Sequence, residues 1–260
     1  MGELRVRRDG PLGTIVFSNP AKLNAVSVDM WQALPRAIAE LERDAGVRVV
    51  VICGEGERAF ISGADISQFE QARADAEAQA RFDAALEAAY LAPVRCAKPV
   101  IAKIRGICFG GGLGLAAACD LRIASDDALF RMPAARLGLA YNFVGIRRFV
   151  ALMGPANVAD IFFSARKFDA AEAQRMGFVS RVVPAAELDR EVDTYCRAVA
   201  ENAPLTIAAA KRAIREALTD ESQRDLEGLQ RMLAACFASE DYREGRAAFR
   251  EKRAPRFTGR

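Results

Sequence analysis

An α/β core carrying a helical appendage is the architecture this chain of 260 residues predicts. Three observations lead to it. From residue 3 to 183, short apolar and β-branched runs alternate with stretches at helical spacing. From Ala186 onward every segment reads as helix. In the middle, the apolar run Val100 to Ile104 leads into Gly110-Gly111-Gly112-Leu113-Gly114, with Leu115 to Ala118 opening a buried helix. The expected division is a core over 1–195 and a helical region over 196–260.

The elements follow in order. Residues 3 to 8 and 13 to 18 predict two strands around the turn Asp9-Gly10-Pro11, and Asn19-Pro20 closes the hairpin. Ser27 caps a helix running to about Arg43, with Met30, Leu34, Ile38 and Leu41 on one face. Val47 to Cys53 is β-branched enough for a buried parallel strand. Asp65 to about Tyr90 is rich in Ala, Glu and Gln and predicts a mostly helical segment with a solvated charged face. Leu121 to Ala124 and Ala128 to Arg131 are short strands. Phe143 to Met153 and Ala156 to Ser164 are helices broken at Gly154-Pro155, and Phe178 to Val183 is the last strand.

Composition narrows the chemistry. A 52% hydrophobic content supplies a large core, and a net charge of +3 suits an anionic small molecule but is too small to argue for nucleic acid. The chain has no histidine, which removes Ser-His-Asp and Cys-His catalysis and His-ligated metal sites. The six cysteines form no C-x-x-C pair and read as core residues of a reducing compartment. The absence of an apolar signal or spanning run predicts a cytoplasmic protein with no membrane partner.

Four glycines in five residues at 110–114 let backbone amides approach a ligand where a Cβ would clash. Amides at a helix start are unpaired and suit a developing oxyanion. The loop lacks the Gly-Lys-Ser/Thr ending of a phosphate loop and the Gly-x-Gly-x-x-Gly spacing of a dinucleotide site. A second strand-to-loop passage, Ala59-Phe60-Ile61-Ser62-Gly63-Ala64-Asp65-Ile66, offers another amide and an acid positioned to cap a helix.

Together with Lys22-Leu23-Asn24-Ala25, Cys119-Asp120 and Pro133 through Gly138, these passages form an ordered set along nearly the whole chain. The set resembles the enoyl-CoA hydratase/isomerase family, also called the crotonase family. That resemblance implies a crotonase-like spiral of ββα units with a C-terminal helical region that builds trimers, often paired into hexamers. It implies that the amides of Ala64 and Gly111 form an oxyanion hole for the thioester of an acyl-CoA, with coenzyme A part of the substrate and no permanently bound cofactor. Substrate contacts are implied for Lys22 and Leu23, for Ala59, Gly63, Asp65 and Ile66, for Gly110 and Gly114, and for Pro133 and Ala134.

Two departures matter. Hydratases of the family carry glutamates at the positions of Gly114 and Ala134, and hydration needs both a base for water and an acid for carbon. The remaining nearby acids, Asp65 and Glu70, read first as a helix cap and a surface residue. The stretch Ala140-Tyr141-Asn142-Phe143-Val144-Gly145 resembles the methylmalonyl-CoA decarboxylase branch, in which the tyrosine matching Tyr141 orients the departing carboxylate. That branch has a histidine at the position of Ala64 and a glutamate at that of Gly114, so the match is partial. A pocket-lining role for Tyr141 stays open. So do phosphate contacts by Lys22, Lys252 or Arg253, attraction of a substrate carboxylate by Arg147 or Arg148, and Cys108 or water as the final proton donor. The competing functions are an atypical hydratase, isomerase or thioester hydrolase, and a silent acyl-CoA binder or RNA-binding scaffold, nucleic acid being the less expected partner.

Overall fold

The hairpin predicted at the start of the chain is β1 (Glu3–Asp9) and β2 (Leu12–Ser18), paired antiparallel from Glu3↔Ser18 to Asp9↔Leu12. The computed structural model describes residues 2–65 and 75–260. After the hairpin, Ser27 accepts a hydrogen bond from the Met30 amide and starts α1 (Val28–Arg43). The face carrying Met30, Trp31, Leu34, Ile38 and Leu41 is buried, as the spacing requires.

Next come β3 (Val49–Gly54) and β4 (Ala59–Ile61), then α2 (Ala76–Arg95), β5 (Val100–Ile104), β6 (Ile107–Phe109), α3 (Gly111–Ala118), β7 (Leu121–Ser125) and β8 (Leu129–Arg131). The second half holds α4 (Phe143–Ser164), β9 (Lys167–Asp169), α5 (Ala170–Arg175), β10 (Arg181–Val183), α6 (Leu188–Ala200), α7 (Pro204–Ala217), α8 (Leu226–Ala238) and α9 (Glu240–Glu251). The predicted break in α4 is real: Gly154 leaves helical backbone at φ 74 and ψ 161.

Two sheets result. One runs β1-β2-β3-β5-β7-β10 and is parallel after the first hairpin; the other runs β4-β6-β8-β9, with only the β8–β9 pair antiparallel. Strand β3 shows why its sequence is a continuous apolar run. Val50 and Ile52 enter the main core with Trp31, Leu34 and Phe60, while Val49 and Val51 face the other way, into a second cluster with Leu188, Val192 and Cys196 of α6. The expected boundary at 195/196 therefore falls inside α6, a helix that covers the sheet.

Three further differences have local causes. The last strand starts at Arg181 because Phe178 and Val179 are buried in the main core before pairing begins. Strand β9 and helix α5 were not expected; Asp169 caps α5 by accepting from the Glu172 amide at 2.7 Å. Cys236 is only half-buried, while the other five cysteines are buried.

The Cys119-Asp120 motif ties the appendage to the core. Asp120 accepts from the Val100 amide at 2.7 Å and from Lys211 of α7 at 2.6 Å, and Lys211 also donates to the carbonyls of Pro93 and Lys98. Buried Arg122 donates to the carbonyls of Ala116 and Cys119, closing the C-terminal end of α3.

Candidate active site

The sheet topology assembles the site. Strands β4, β6 and β8 are parallel neighbours, so the loops leaving their C-terminal ends emerge side by side. The first carries Gly63 and Ala64, the second Gly110 and Gly111, the third Pro133 and Ala134. The Gly110 amide donates to the Arg131 carbonyl at 2.9 Å, which fastens the second loop to the third. Gly110 takes φ +52, where a side chain is strained, and a Cβ there would sit 4.0 Å from the Cα of Gly63. The two turns therefore abut.

Each turn presents an amide. Val26 donates to the Gly63 carbonyl and accepts from the Asp65 amide, both at 2.9 Å, so both bonds of this bridge belong to Val26 and the Ala64 N–H faces the other way. Gly111 is the first residue of α3, where amides have no partner within the helix.

The Lys22-Leu23-Asn24-Ala25 motif supports the first turn from below. Leu23 and Asn24 both have left-handed backbone, and the buried Asn24 side chain donates to the carbonyls of Glu55 and Ala59 at 2.9 and 2.7 Å. The Leu23 carbonyl accepts from the Ser62 amide at 3.2 Å. Ala59 itself is a buried strand residue. Lys22 donates to Asp65 at 2.8 Å, so these two site candidates form an ion pair with each other. Ile66 and Glu70 lie outside the described residues, as does the helix Asp65 was expected to cap.

The two positions at which the resemblance implied glutamates differ in their surroundings. Ala134 is buried at the start of a short 3₁₀ turn after Pro133. At Gly114, one turn along α3 from Gly111, a Cβ would lie 2.6 Å from the hydroxyl oxygen of Tyr90 and 2.9 Å from that of Tyr141. Two phenols from α2 and from the segment before α4 thus fill the volume into which a side chain would grow.

Tyr90 donates to the Gly111 carbonyl at 3.1 Å, and both hydroxyls border the same small volume beside Gly114. Burial pushes the Tyr141 hydroxyl up to about 12 and that of Tyr90 well above its ordinary value, so both stay protonated near neutral pH. No carboxylate among the described residues acts on the Tyr141 hydroxyl.

The Tyr141-to-Gly145 stretch also has a local structural cause. Asn142 caps α4 by accepting from the Gly145 amide at 2.7 Å, and the Tyr141 ring lies against Gly145, where a Cβ would come within 2.9 Å of it. Tyr141 packs edge-on to Phe162 and Phe149, with centroids at 5.2 and 6.3 Å. Tyr90, which sequence reasoning did not single out, is held edge-to-face against Trp31 at 5.8 Å. Its place beside Gly111 depends on how α2 packs, and no local motif announces it.

The basic candidates are engaged elsewhere. Arg147 pairs with Asp220 at 3.0 Å, and Arg148 reaches the Tyr90 carbonyl at 3.5 Å. Arg131 donates to the Ala165 carbonyl at 2.8 Å. Arg253 is held by Glu244 and Glu251, and Lys252 ends α9 in left-handed backbone. Cys108 is sealed in the core with its thiol pushed up by burial. No cluster of potential metal ligands occurs among the described residues.

Against known proteins, residues 7–260 match the family model described as enoyl-CoA hydratase/isomerase. The chain belongs to the enoyl-CoA hydratase/isomerase family. It is 37% identical over 257 residues to a Mycobacterium bovis protein named probable enoyl-CoA hydratase echA8, covering 98% of this chain and 97% of the relative. It is 36% identical over 261 residues to the carnitinyl-CoA dehydratase of Salmonella arizonae, covering 98% of each. The crystal structure of an enoyl-CoA hydratase/isomerase family protein from Hyphomonas neptunium superposes with a TM-score of 0.93 at 37% identity, covering 99% of this chain and 98% of that one. This family member thus has the expected crotonase-type α/β fold, with the hydroxyls of Tyr90 and Tyr141 standing beside Gly114.

Proposed function

We propose that this family member processes an acyl-CoA thioester through an enolate held by the Ala64 and Gly111 amides, with loss of CO₂ from a malonyl-type ester as its leading chemistry. The observation that carries the reading is the pair of protonated phenols at Gly114. Hydration requires a base to take a proton from water. Decarboxylation requires none, because breaking the bond to CO₂ leaves its electron pair in the enolate. What it then needs is an anion site for the oxygen and a weak acid for the α-carbon. Two amides and a phenol meet that need, the amides contributing about 3 kcal/mol each by analogy with other oxyanion holes.

An atypical hydratase is the second reading, favoured by the names of the relatives, several of which are hydratases. The deciding experiment incubates the purified protein separately with methylmalonyl-CoA and crotonyl-CoA and follows both by mass spectrometry, with Tyr141→Phe as control. Loss of CO₂ from the first, slowed by the substitution, supports decarboxylation. Water addition to crotonyl-CoA alone overturns it in favour of the hydratase.

Assembly into trimers belongs to the same proposal. Phe237 and Phe249 on α8 and α9 are 67% and 86% exposed and flank a cavity of about 780 Å³ shared with α7. Apolar exposure of that kind fits a face covered by another subunit, and sedimentation should give a multiple of three.

A further inference from the structure

We propose that Lys22 and Asp65 are positioning residues of the oxyanion site, an ion pair that aims the Ala64 amide rather than two separate substrate contacts. This inference rests on the enolate reading above. Its starting point is a difference between the two donors. The sheet places both turns, but the direction of each N–H is set locally. Gly111 opens α3, so the helix itself orients its amide. Ala64 lies three residues past the end of β4 and follows Gly63, whose φ of +128 is backbone that glycine adopts freely. The peptide joining Gly63 to Ala64 therefore takes its orientation from whatever holds it.

That support is the segment 22–26. A trans peptide points its C=O and N–H in opposite directions. The bond from the Val26 amide to the Gly63 carbonyl at 2.9 Å thus turns the Ala64 N–H away from Val26. The Asp65 amide donates back to the Val26 carbonyl, also at 2.9 Å. Ser62 donates from its amide to the Leu23 carbonyl and from its hydroxyl to the Lys22 carbonyl, each at 3.2 Å. Residues 62, 63 and 65 are all fastened to one segment, with Ala64 between them.

The segment does not hold this shape unaided. Leu23 and Asn24 stand at φ 52 and 56, left-handed backbone that is costly for residues other than glycine and persists only where the surroundings impose it. Two side-chain ties impose it. Asn24 is bound to the carbonyls of Glu55 and Ala59. Lys22 is bound to Asp65, donating to its two carboxylate oxygens at 3.0 and 2.8 Å. This second tie runs from the first residue of the segment to the residue after Ala64, so it closes the clamp around the donor. The Asp65 side chain is only 11% exposed, which limits the screening that weakens ordinary surface pairs.

The two roles considered for Lys22, clamp and phosphate contact, give different results when it is changed. The experiment binds butyryl-CoA, isotopically labelled at its carbonyl carbon, and records the infrared stretch of that carbonyl. Affinity for free CoA, which has no acyl carbonyl, is measured alongside by calorimetry. In the wild type the bound carbonyl should stretch at lower frequency than in free butyryl-CoA, because the two amides polarise it. Lys22→Met should lose at least half of that shift, with free-CoA affinity within about 2-fold of the wild type. Asp65→Asn, which keeps the shape of the side chain, should do the same and serves if Lys22→Met folds poorly. Lys22→Arg, which keeps the charge pair, should retain the shift. A full shift in both Lys22→Met and Asp65→Asn overturns the clamp; free-CoA affinity lowered about 10-fold in Lys22→Met alongside it would assign Lys22 to the phosphates instead. A wild type that binds butyryl-CoA with no shift of its carbonyl overturns the oxyanion site, and the clamp with it.

Discussion

The backbone half of the site and its side-chain half have diverged in different ways. The turns at Gly63-Ala64 and Gly110-Gly111, proposed above as the oxyanion hole, leave neighbouring parallel strands and touch. One turn further along α3 the surroundings are different, because two aromatic residues distant in sequence fill the space beside Gly114. Backbone amides are positioned by the sheet and survive almost any change of neighbouring side chain. An acid or base is a single side chain, and replacing it rewrites the reaction. A family can therefore retain its enolate site while changing how protons reach it.

The largest effect should come from the backbone half. Gly111→Pro removes an amide donor at the first helical position, where proline is otherwise tolerated. Turnover of whichever acyl-CoA is processed should fall about 100- to 1,000-fold. A Cβ there sits 3.1 Å from Trp31, so the melting temperature should be followed alongside. Unchanged turnover in a folded variant would remove Gly111 from the oxyanion hole.

Placing a carboxylate at Gly114 tests the other half. Gly114→Glu should not create a hydratase, since the new side chain must displace two hydroxyls within 2.6 and 2.9 Å of its Cβ. The expected outcome is a loss of about 1–3 kcal/mol in stability from overpacking, with decarboxylation reduced and no gain in crotonyl-CoA hydration. A clear gain in hydration would show that the tyrosines yield easily, and that the halves are less coupled than their packing indicates.

How much of this was legible in the sequence follows the same division. The Ser27 cap, the break at Gly154 and the glycine loop are local signals, and each was read from a few adjacent residues. The assignment of Ala64 and Gly111 to one oxyanion site came only through the resemblance, because nothing local states that β4 and β6 are neighbours. Tyr90 was not legible. It lies 21 residues before Gly111, at the end of an Ala-rich amphipathic segment, and only tertiary packing gives it a role. Tyr141 was read from a motif whose other members, Asn142 and Gly145, are explained by capping and by room for the ring. Strand β9 escaped because three residues carry too little alternation to register.

A smaller effect should appear in alkaline solution. Folding raises the pKa of both phenols, so their contribution to stability is complete below about pH 10, the value of a free tyrosine, and is lost as pH climbs above it, for Tyr141 towards about 12. Over that interval the unfolded chain binds fewer protons than the folded one, and stability falls by at most about 1.4 kcal/mol per pH unit for each phenol. Buried cysteines titrate nearby, so the quantity to measure is the difference in urea midpoints between the wild type and a Tyr90→Phe/Tyr141→Phe double variant. The difference should shrink between pH 10 and 12; a constant difference would mean that the phenols are not held neutral by the fold.

The smallest effect belongs to the C-terminal surface. Glu244 accepts from Arg253 at 2.6 and 2.8 Å and from the Arg256 amide at 2.8 Å, and these bonds hold its carboxyl down at about 2. A depressed carboxylate stabilises its surroundings above the ordinary glutamate range, and that contribution is lost as pH falls through roughly 4.3 towards 2. Amide exchange after Arg253 should therefore quicken over this acid interval. Glu244→Gln should bring the faster exchange to neutral pH while leaving acyl-CoA turnover within about 2-fold, as expected for an exposed pair worth little to global stability. A large loss of turnover would instead place this ion-paired segment in the substrate site, where Arg253 was first considered as a phosphate contact.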